Sequence, residues 1–321
     1  VIDGRVRLPI HGQAIGAQVT ITELQVIGVD VGEVTLGAMQ PDPEHVSWAA
    51  TLVRGTDRAE ASGDVTLAGA SAMTARARLN MSDLSWLQDF VEDYLTTLEG
   101  GVRGDVTMHW NAGKLGLDGR LDIERMRVGI RQLGQTFTIP GGALVMADGL
   151  VSMSDVVILD SLQEAFRITG GIRITDPTEP VLDLGLQAEH FHWVHSTYKD
   201  NPLFYGDLFA GLDLAIKGRA LAPSITGKVR VLTGTDLTLV MPGSKVERVD
   251  GEGVVIFTDD LYRMRNDSVE VIRLALQDSL QAMFGTNEID LKIDVEKEAR
   301  FAFLLDPVSG DQATVRGTGD M

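Results

Sequence analysis

Residues 288–319 read EIDLKIDVEKEARFAFLLDPVSGDQATVRGTG, and this stretch decides the fold. Apolar and charged residues alternate over residues 289–296, which is the two-residue period of a strand with one apolar and one polar face. The chain then returns through residues 300–305 and breaks at Asp306 and Pro307. The stretch predicts a meander whose apolar side has no helix to cover it, and it contains no paired nucleophile and base.

The composition of the whole chain extends this prediction to an all-β fold. The chain has 321 residues, of which 44% are hydrophobic but only 6% aromatic, so aliphatic residues supply most of the apolar surface. Its 35 glycines exceed the usual share of about 7%. They recur beside short alternating runs, as the turns and bends of a long meander require.

Charge and cysteine content exclude several classes of function. The formal net charge of −18 argues against a nucleic-acid surface and against tight adsorption to anionic head groups. The chain has no cysteine, which excludes disulfides and Cys-ligated metals and leaves the compartment undecided. Neither a spanning apolar run nor a secretory signal is found in the sequence, and we expect the chain to be a piece of a longer protein.

The chain divides into three predicted segments: a β-sheet segment over residues 1–81, a helix over residues 82–99, and a second sheet segment over residues 100–321. One continuous sheet through both strand segments is equally compatible with the pattern. Ser82 suits an N-cap, and apolar residues recur at helical spacing from Leu84 to Leu98. The acidic exposed side of this helix argues against a membrane surface, so we expect a cap on the end of the sheet or, alternatively, a mobile gate.

A loose repeat predicts that hairpins stack into one long sheet. Residues 104–110 and 115–123 form a pair of strands around a short turn, and residues 211–218 and 225–231 resemble them. In both pairs the second strand carries a glycine in its middle. Repetition of this kind is typical of architectures that grow by adding one unit to the next.

Many weak motifs, taken in order, resemble those of one family. Together they look like the TamB translocation and assembly module family, which is akin to the AsmA-like envelope bridge proteins. The resemblance is best from about residue 130 to the end. The residues that carry it are 137–161, Gly206, Gly218, 233–235, Met241, Pro242, 253–257, 293–299, 306–311 and 317–319.

The resemblance implies both an architecture and a biological setting. It implies a β-taco, which is a long curled antiparallel or mixed sheet whose concave face is a hydrophobic trough. It also implies a periplasmic segment of a protein anchored in the inner membrane of a Gram-negative envelope. In that setting the family conducts phospholipid between membranes during outer-membrane biogenesis, with an outer-membrane barrel of the TamA type as partner.

The alternating apolar residues are the predicted lipid groove, with a closed hydrophobic core as the alternative. A sheet with one apolar face must bury it against something, and acyl chains would serve where no second layer exists. A slip of one residue in any strand would move its side chains to the other face. The predicted groove residues are Val106, Met108, Trp110, Leu115, Leu117, Leu121, Ile123, Leu182, Leu184, Leu186, Leu212, Leu214, Ile216, Val229, Val231, Leu237, Leu239, Ile289, Leu291, Ile293, Phe301 and Phe303.

The remaining polar clusters do not predict a catalytic or metal site. His190, His192 and His195 are the nearest approach to a metal cluster, but the pattern places no acidic partner beside them, and polar positions opposite two aromatics explain them better. Asp306 and Asp311 could pass for the carboxylate pair of a glycosidase, yet a turn demands the same residues. We therefore expect a protein that is not an enzyme and that needs neither cofactor nor metal.

Two other functions compete with lipid conduction. The first is a scaffold that assists insertion or secretion of outer-membrane barrel and autotransporter proteins, pairing the sheet edge with strands of its clients. The second is a carbohydrate-active β-helix. Regular rungs and asparagine ladders are typical of that fold, and the few, irregularly spaced asparagines of this chain argue against it.

Overall fold

The residues that the structure describes form one sheet of nineteen strands. The computed structural model describes residues 2–7, 15–67, 72–111, 113–240, 288–306, 311–316 and 319–320. The strands are β1 Ile2–Arg7, β2 Ile15–Val26, β3 Val29–Asp42, β4 His45–Arg54, β5 Asp57–Thr66, β6 Ala72–Met81, β7 Leu95–Asn111, β8 Lys114–Ile130, β9 Gln135–Ala147, β10 Leu150–Leu159, β11 Ala165–Arg173, β12 Val181–Ser196, β13 Phe204–Arg219, β14 Ala222–Val231, β15 Asp236–Val240, β16 Glu288–Val295, β17 Arg300–Asp306, β18 Asp311–Arg316 and β19 Gly319–Asp320.

The first thirteen strands are an antiparallel meander in which each strand pairs with its neighbour in sequence. This arrangement confirms the all-β prediction. The two hairpins of the predicted repeat are β7–β8 and β13–β14, which turn at Asn111–Lys114 and Arg219–Ala222.

At the C-terminal side of the sheet, each row consists of two short strands that lie end to end. β14 and β15 both pair with β13, one with each half of it. β16 runs parallel to β14, and β17 runs parallel to β15, so the sheet is mixed as predicted. β17 then pairs antiparallel with β18, and β16 with β19. Parallel neighbours in a sheet cannot be joined by a tight turn, unlike the antiparallel neighbours of the meander.

Irregularities interrupt the register of several long strands. The register shifts between Glu99 and Gly101 in β7, between Met153 and Val156 in β10, and between Ala188 and Phe191 in β12. Short segments outside the strands separate β14 from β15 and β16 from β17. Bulges increase the local twist and bend the strand that carries them.

The helix predicted over residues 82–99 is wrong in type and in length. The structure has a 3₁₀ helix of six residues, Ser85–Phe90, and Leu95 already begins β7. Ser82 does not cap this helix, because its amide and hydroxyl both donate to the carboxylate of Asp57 at 2.7 and 2.6 Å. Pairing of Leu95 and Leu98 with β8 outweighs the helical spacing of these apolar residues.

The sheet continues past this short helix, because β6 pairs with β7 from Ala72 to Met81. The two predicted sheet segments thus share one ladder of hydrogen bonds. Within the part of the chain that the structure describes, no helix is long and apolar enough to cross a bilayer.

Candidate functional site

One face of the sheet is apolar across most of its rows, and the strand register defines it. Residues directly opposite each other in paired strands point to the same side. Leu184 of β12 is opposite Ile216 of β13. Ile216 is in turn opposite Ile225 of β14, and Ile225 is opposite Ile289 of β16. We call the side that carries Leu184 the inner face and the opposite side the outer face.

The register places every predicted groove residue on the inner face. In β7 and β8, Val106, Met108, Trp110, Leu115, Leu117, Leu121 and Ile123 are linked to Leu184 through β9, β10 and β11. The remaining members belong to strands β12 to β17 and connect directly: Leu182, Leu184, Leu186, Leu212, Leu214, Ile216, Val229, Val231, Leu237, Leu239, Ile289, Leu291, Ile293, Phe301 and Phe303. These residues therefore share one face, and their role as a lipid groove stays a prediction.

Most of these side chains are half-buried. Among the predicted groove residues, only Val231 and Leu237 are buried, and Ile289 is exposed. No second sheet covers them among the described strands, because all nineteen belong to one sheet. The inner face is thus only partly shielded from solvent.

Charge is confined to the outer face over most of the sheet. In the described strands from β6 to β16, no paired inner-face position carries a charged residue. The outer face carries cross-strand ion pairs instead, such as Arg78 with Asp105 at 2.8 Å and Arg127 with Glu99 at 2.7 Å. These pairs are solvent-exposed, so each contributes little to stability. Their main effect is to keep the outer face hydrated.

The sheet curls toward the inner face. Phe137 in β9 and Phe191 in β12 are separated by β10 and β11, so in a flat sheet their strands would lie about 14 Å apart. Their rings nevertheless stack with centroids 5.6 Å apart. Beyond the end of the β10–β11 hairpin, the loop after β12 also meets the 3₁₀ turn Arg131–Leu133 between β8 and β9, since the Asn201 side-chain amide donates to the Gln132 carbonyl at 3.3 Å. The inner face is therefore concave.

Four aromatic side chains fill the concave side at this point. We call Phe137, Phe166, Phe191 and Trp193 the aromatic cluster. Phe191 is 1% exposed, and its ring centroid lies 5.8 Å from that of Phe166 and 4.6 Å from that of Trp193.

The aromatic cluster was absent from the predicted groove. Its signal was available for Phe137 and Phe166, which alternate with polar residues as Phe137-Thr-Ile139 and Phe166-Arg-Ile168. Phe191 and Trp193 also alternate with polar residues, in His190-Phe191-His192-Trp193, but the bulge before Phe191 puts them out of phase with Leu182, Leu184 and Leu186.

The 3₁₀ helix lies against one end of the sheet, where it contacts β3 and β7. Trp86 on this helix packs beneath the guanidinium of Arg54, 5.7 Å from the ring centroid. Nearby, burial raises the pKa of the Asp57 carboxyl, but the hydrogen bonds from the Ser82 hydroxyl and amide outweigh burial and leave that pKa below its usual value. This contact holds the helix at the end of the trough, in the capping position that was predicted for a longer helix.

The carboxylate of Glu296 connects the two rows of the sheet that are each divided into two strands. Glu296, between β16 and β17, accepts hydrogen bonds from the Thr233 amide at 2.8 Å and from its hydroxyl at 2.9 Å. These bonds lower the pKa of the Glu296 carboxyl. Thr233 lies between β14 and β15, so the contact ties the break in one row to the break in the next.

The predicted histidine cluster is rearranged by the fold. His192 and His195 come together on the outer face, and Asp207 of β13 supplies the acidic partner that the sequence did not place there. His190 lies apart from this group, with its ring centroid 5.4 Å from that of Phe209. The other candidate pair, Asp306 and Asp311, flanks a turn that lies outside the described residues.

The curled single sheet and its apolar inner face define a protein of the β-taco class. Over residues 155–321 the chain matches the family model described as TamB C-terminal domain. The match spans just over half of the chain, which therefore belongs to the TamB family. Comparison with curated proteins and with solved structures finds no match. Membership places the chain among envelope proteins with a role related to outer-membrane biogenesis, and at the family level it implies a TamA-type partner.

Proposed function

We propose that this chain is a non-enzymatic bridge segment that conducts phospholipid along its inner face between the inner and outer membranes. The observation that carries the proposal is the continuity of that face, which has no charged residue at a paired position from β6 to β16. The segment would lie in the periplasm, with an anchor elsewhere in the full-length protein.

The half-buried state of the inner face suits a mobile acyl chain. Burying hydrocarbon contributes about 0.8 kcal/mol per methylene. Half-shielding an acyl chain of about 16 carbons would then stabilise the complex by on the order of 6 kcal/mol. Aliphatic side chains such as Leu184, Leu214 and Leu291 make no directional bond, so the energy changes little as a chain slides from one row to the next.

A pair of neighbouring residues on β12 tests the proposal. Leu186 is half-buried on the inner face, whereas Gln187 is exposed on the outer face. A photo-crosslinking amino acid at Leu184 should capture phospholipid in cells. Leu186→Asp should reduce that crosslinking at least severalfold, because a carboxylate in the trough must stay hydrated, and Gln187→Asp should leave it unchanged.

Equal crosslinking in the two variants would contradict the proposal. Lipid extraction from the purified chain followed by mass spectrometry gives an independent readout, in which the wild-type chain and Gln187→Asp should retain phospholipid and Leu186→Asp should not. Circular dichroism of both variants controls for loss of the sheet.

The open edges of the sheet favour a second function, a scaffold for outer-membrane barrel insertion with a TamA-type partner. Among the described strands, β1 pairs only with β2, and β18 pairs only with β17. Such edges can accept a strand of another chain. A crosslinker at Thr314 in β18 should then capture the barrel or a client strand, and one at Leu184 should not. The opposite pattern would contradict this function.

A further inference from the structure

We propose that His192, His195 and Asp207 form a binding site for a divalent transition-metal cation, with zinc as the best match. The three residues lie on the outer face, on β12 and β13, and their ligand atoms all lie within 4.8 Å of one another. The site is separate from the inner face, so it does not depend on lipid conduction.

A bulge brings the two histidines together. Residues three apart on a regular strand point to opposite faces. Here the register shifts between His192 and Val194, so that Trp193 is an extra residue and both histidines point outward. Asp207 lies directly opposite His195 on β13. The local irregularity of the strand therefore creates the ligand set.

The donor atoms are already close to coordinating geometry. The Asp207 Oδ1 atom lies 2.9 Å from His192 Nε2 and 2.6 Å from His195 Nδ1. In a tetrahedral zinc site with bonds of 2.0–2.2 Å, neighbouring donors lie about 3.4 Å apart. Displacements of less than about 1 Å would admit the ion. Each imidazole must then present a lone pair, so its proton on that nitrogen moves to the other ring nitrogen or to water.

The surrounding residues hold the ligands in place. The His192 ring stacks on Phe209 with centroids 4.0 Å apart, and the His192 amide donates to the carboxylate of Asp160 at 2.7 Å. The residue opposite Asp207 on β15 is Asp236, whose carboxylate is paired with Arg300. Asp207 is thus left to the two histidines. Ligand side chains that are held in position before the ion arrives lower the free-energy cost of binding a metal.

The chemistry of the ligands selects the cation. Two imidazole nitrogens and one carboxylate oxygen suit zinc and its neighbours, whereas calcium and magnesium prefer oxygen ligands alone. Three protein ligands leave a position for water. The side chain of His195 is 67% exposed, so the ion can enter from solvent.

Isothermal titration of the purified chain with zinc chloride in chelator-free buffer tests the site. We expect one ion per chain. We expect His195→Gln and Asp207→Asn each to weaken binding at least tenfold. His190→Gln is the matched control, because it removes a neighbouring imidazole from the same strand outside the site, and it should bind as the wild type does.

Two further readouts keep the result independent of variant folding. Cobalt(II) should give the visible absorption of a site with nitrogen and oxygen ligands in the wild-type chain, and ¹⁵N shifts of His192 and His195 should change on adding zinc while those of His190 do not. Absence of binding by the wild-type chain would overturn the inference. So would binding that His195→Gln and Asp207→Asn leave unchanged, or zinc shifts that affect His190 alone.

Discussion

Phe137 stacks on Phe191 at a centroid distance of 5.6 Å although two strands lie between their own. The contact is possible only because the sheet curls toward its apolar side. It brings β9 and β12 together on that side, although β10 and β11 lie between them in the sheet. The aromatic cluster is therefore a point at which non-adjacent strands of the sheet contact each other.

Loss of this stack should destabilise the protein. Phe191→Ala removes the most buried ring of the cluster and should lower the free energy of unfolding by about 3–5 kcal/mol, as expected for a large core side chain. Urea denaturation followed by fluorescence measures the change. Val315→Ala at a 56% exposed position is the control and should shift it by less than about 0.5 kcal/mol. Similar losses in both variants would show that the cluster is not a core.

Gly119 should not tolerate a side chain. Its φ is +142°, and a Cβ atom there would lie 2.1 Å from the Asp105 carbonyl oxygen of the neighbouring strand. Gly119→Ala should therefore cost about 1–3 kcal/mol. Gly37→Ala is the matched control, because a Cβ atom at Gly37 has no contact closer than 3.9 Å. Thermal unfolding of the two variants should differ clearly, and equal melting temperatures would contradict the strained geometry.

Asp57 should make the capped end sensitive to acid. The pKa of its carboxyl is lower in the folded than in the unfolded chain, so its contribution to stability is present above the unfolded value of about 3.9 and is lost as the pH falls through the folded value. Asp57→Asn should remove this dependence and cost about 1–3 kcal/mol at neutral pH. Melting curves between pH 7 and about pH 3 test it. A pH profile unchanged by the variant would contradict the assignment.

Glu296 should protect the last rows from local opening. Glu296→Gln removes the charge that strengthens the bonds from Thr233, so the amides of β16 and β17 should exchange faster with solvent than in the wild type. Glu298→Gln in the same turn is the control. Hydrogen exchange measured by mass spectrometry resolves the two regions. Faster exchange throughout the sheet would indicate general destabilisation instead.

The strand faces could be predicted because one side of the sheet is apolar. Residues such as Leu184, Leu214 and Ile293 alternate with polar neighbours, and a shift of one residue would expose the entire apolar set. Local pattern was therefore sufficient to assign these residues to one face. The same pattern also predicted the two hairpins, although it placed the second turn at Ala222 and Pro223, which belong to β14.

The features that were missed depend on contacts between distant segments. The spacing of Leu84 to Leu98 is helical, but pairing of β7 with β8 decides the conformation from Leu95 onward. Asp207 could not be placed beside His195 without knowing the register of β12 and β13, and that register contains two bulges. Local periodicity carries no information on the pairing of β7 with β8 or on the register of β12 with β13.

The parallel pairing of β14 with β16 separates two stages in the assembly of the sheet. Rows β1 to β13 join neighbours in sequence, so each can form as soon as its hairpin is complete, beginning at the N-terminal end. Ser224 of β14, by contrast, pairs with Glu288 of β16, and this pairing cannot form until that distant part of the chain is in place. Contacts of such long range are slow to form. The C-terminal rows should therefore dock last, and until they do β14 presents an unpaired edge to whatever strand arrives first.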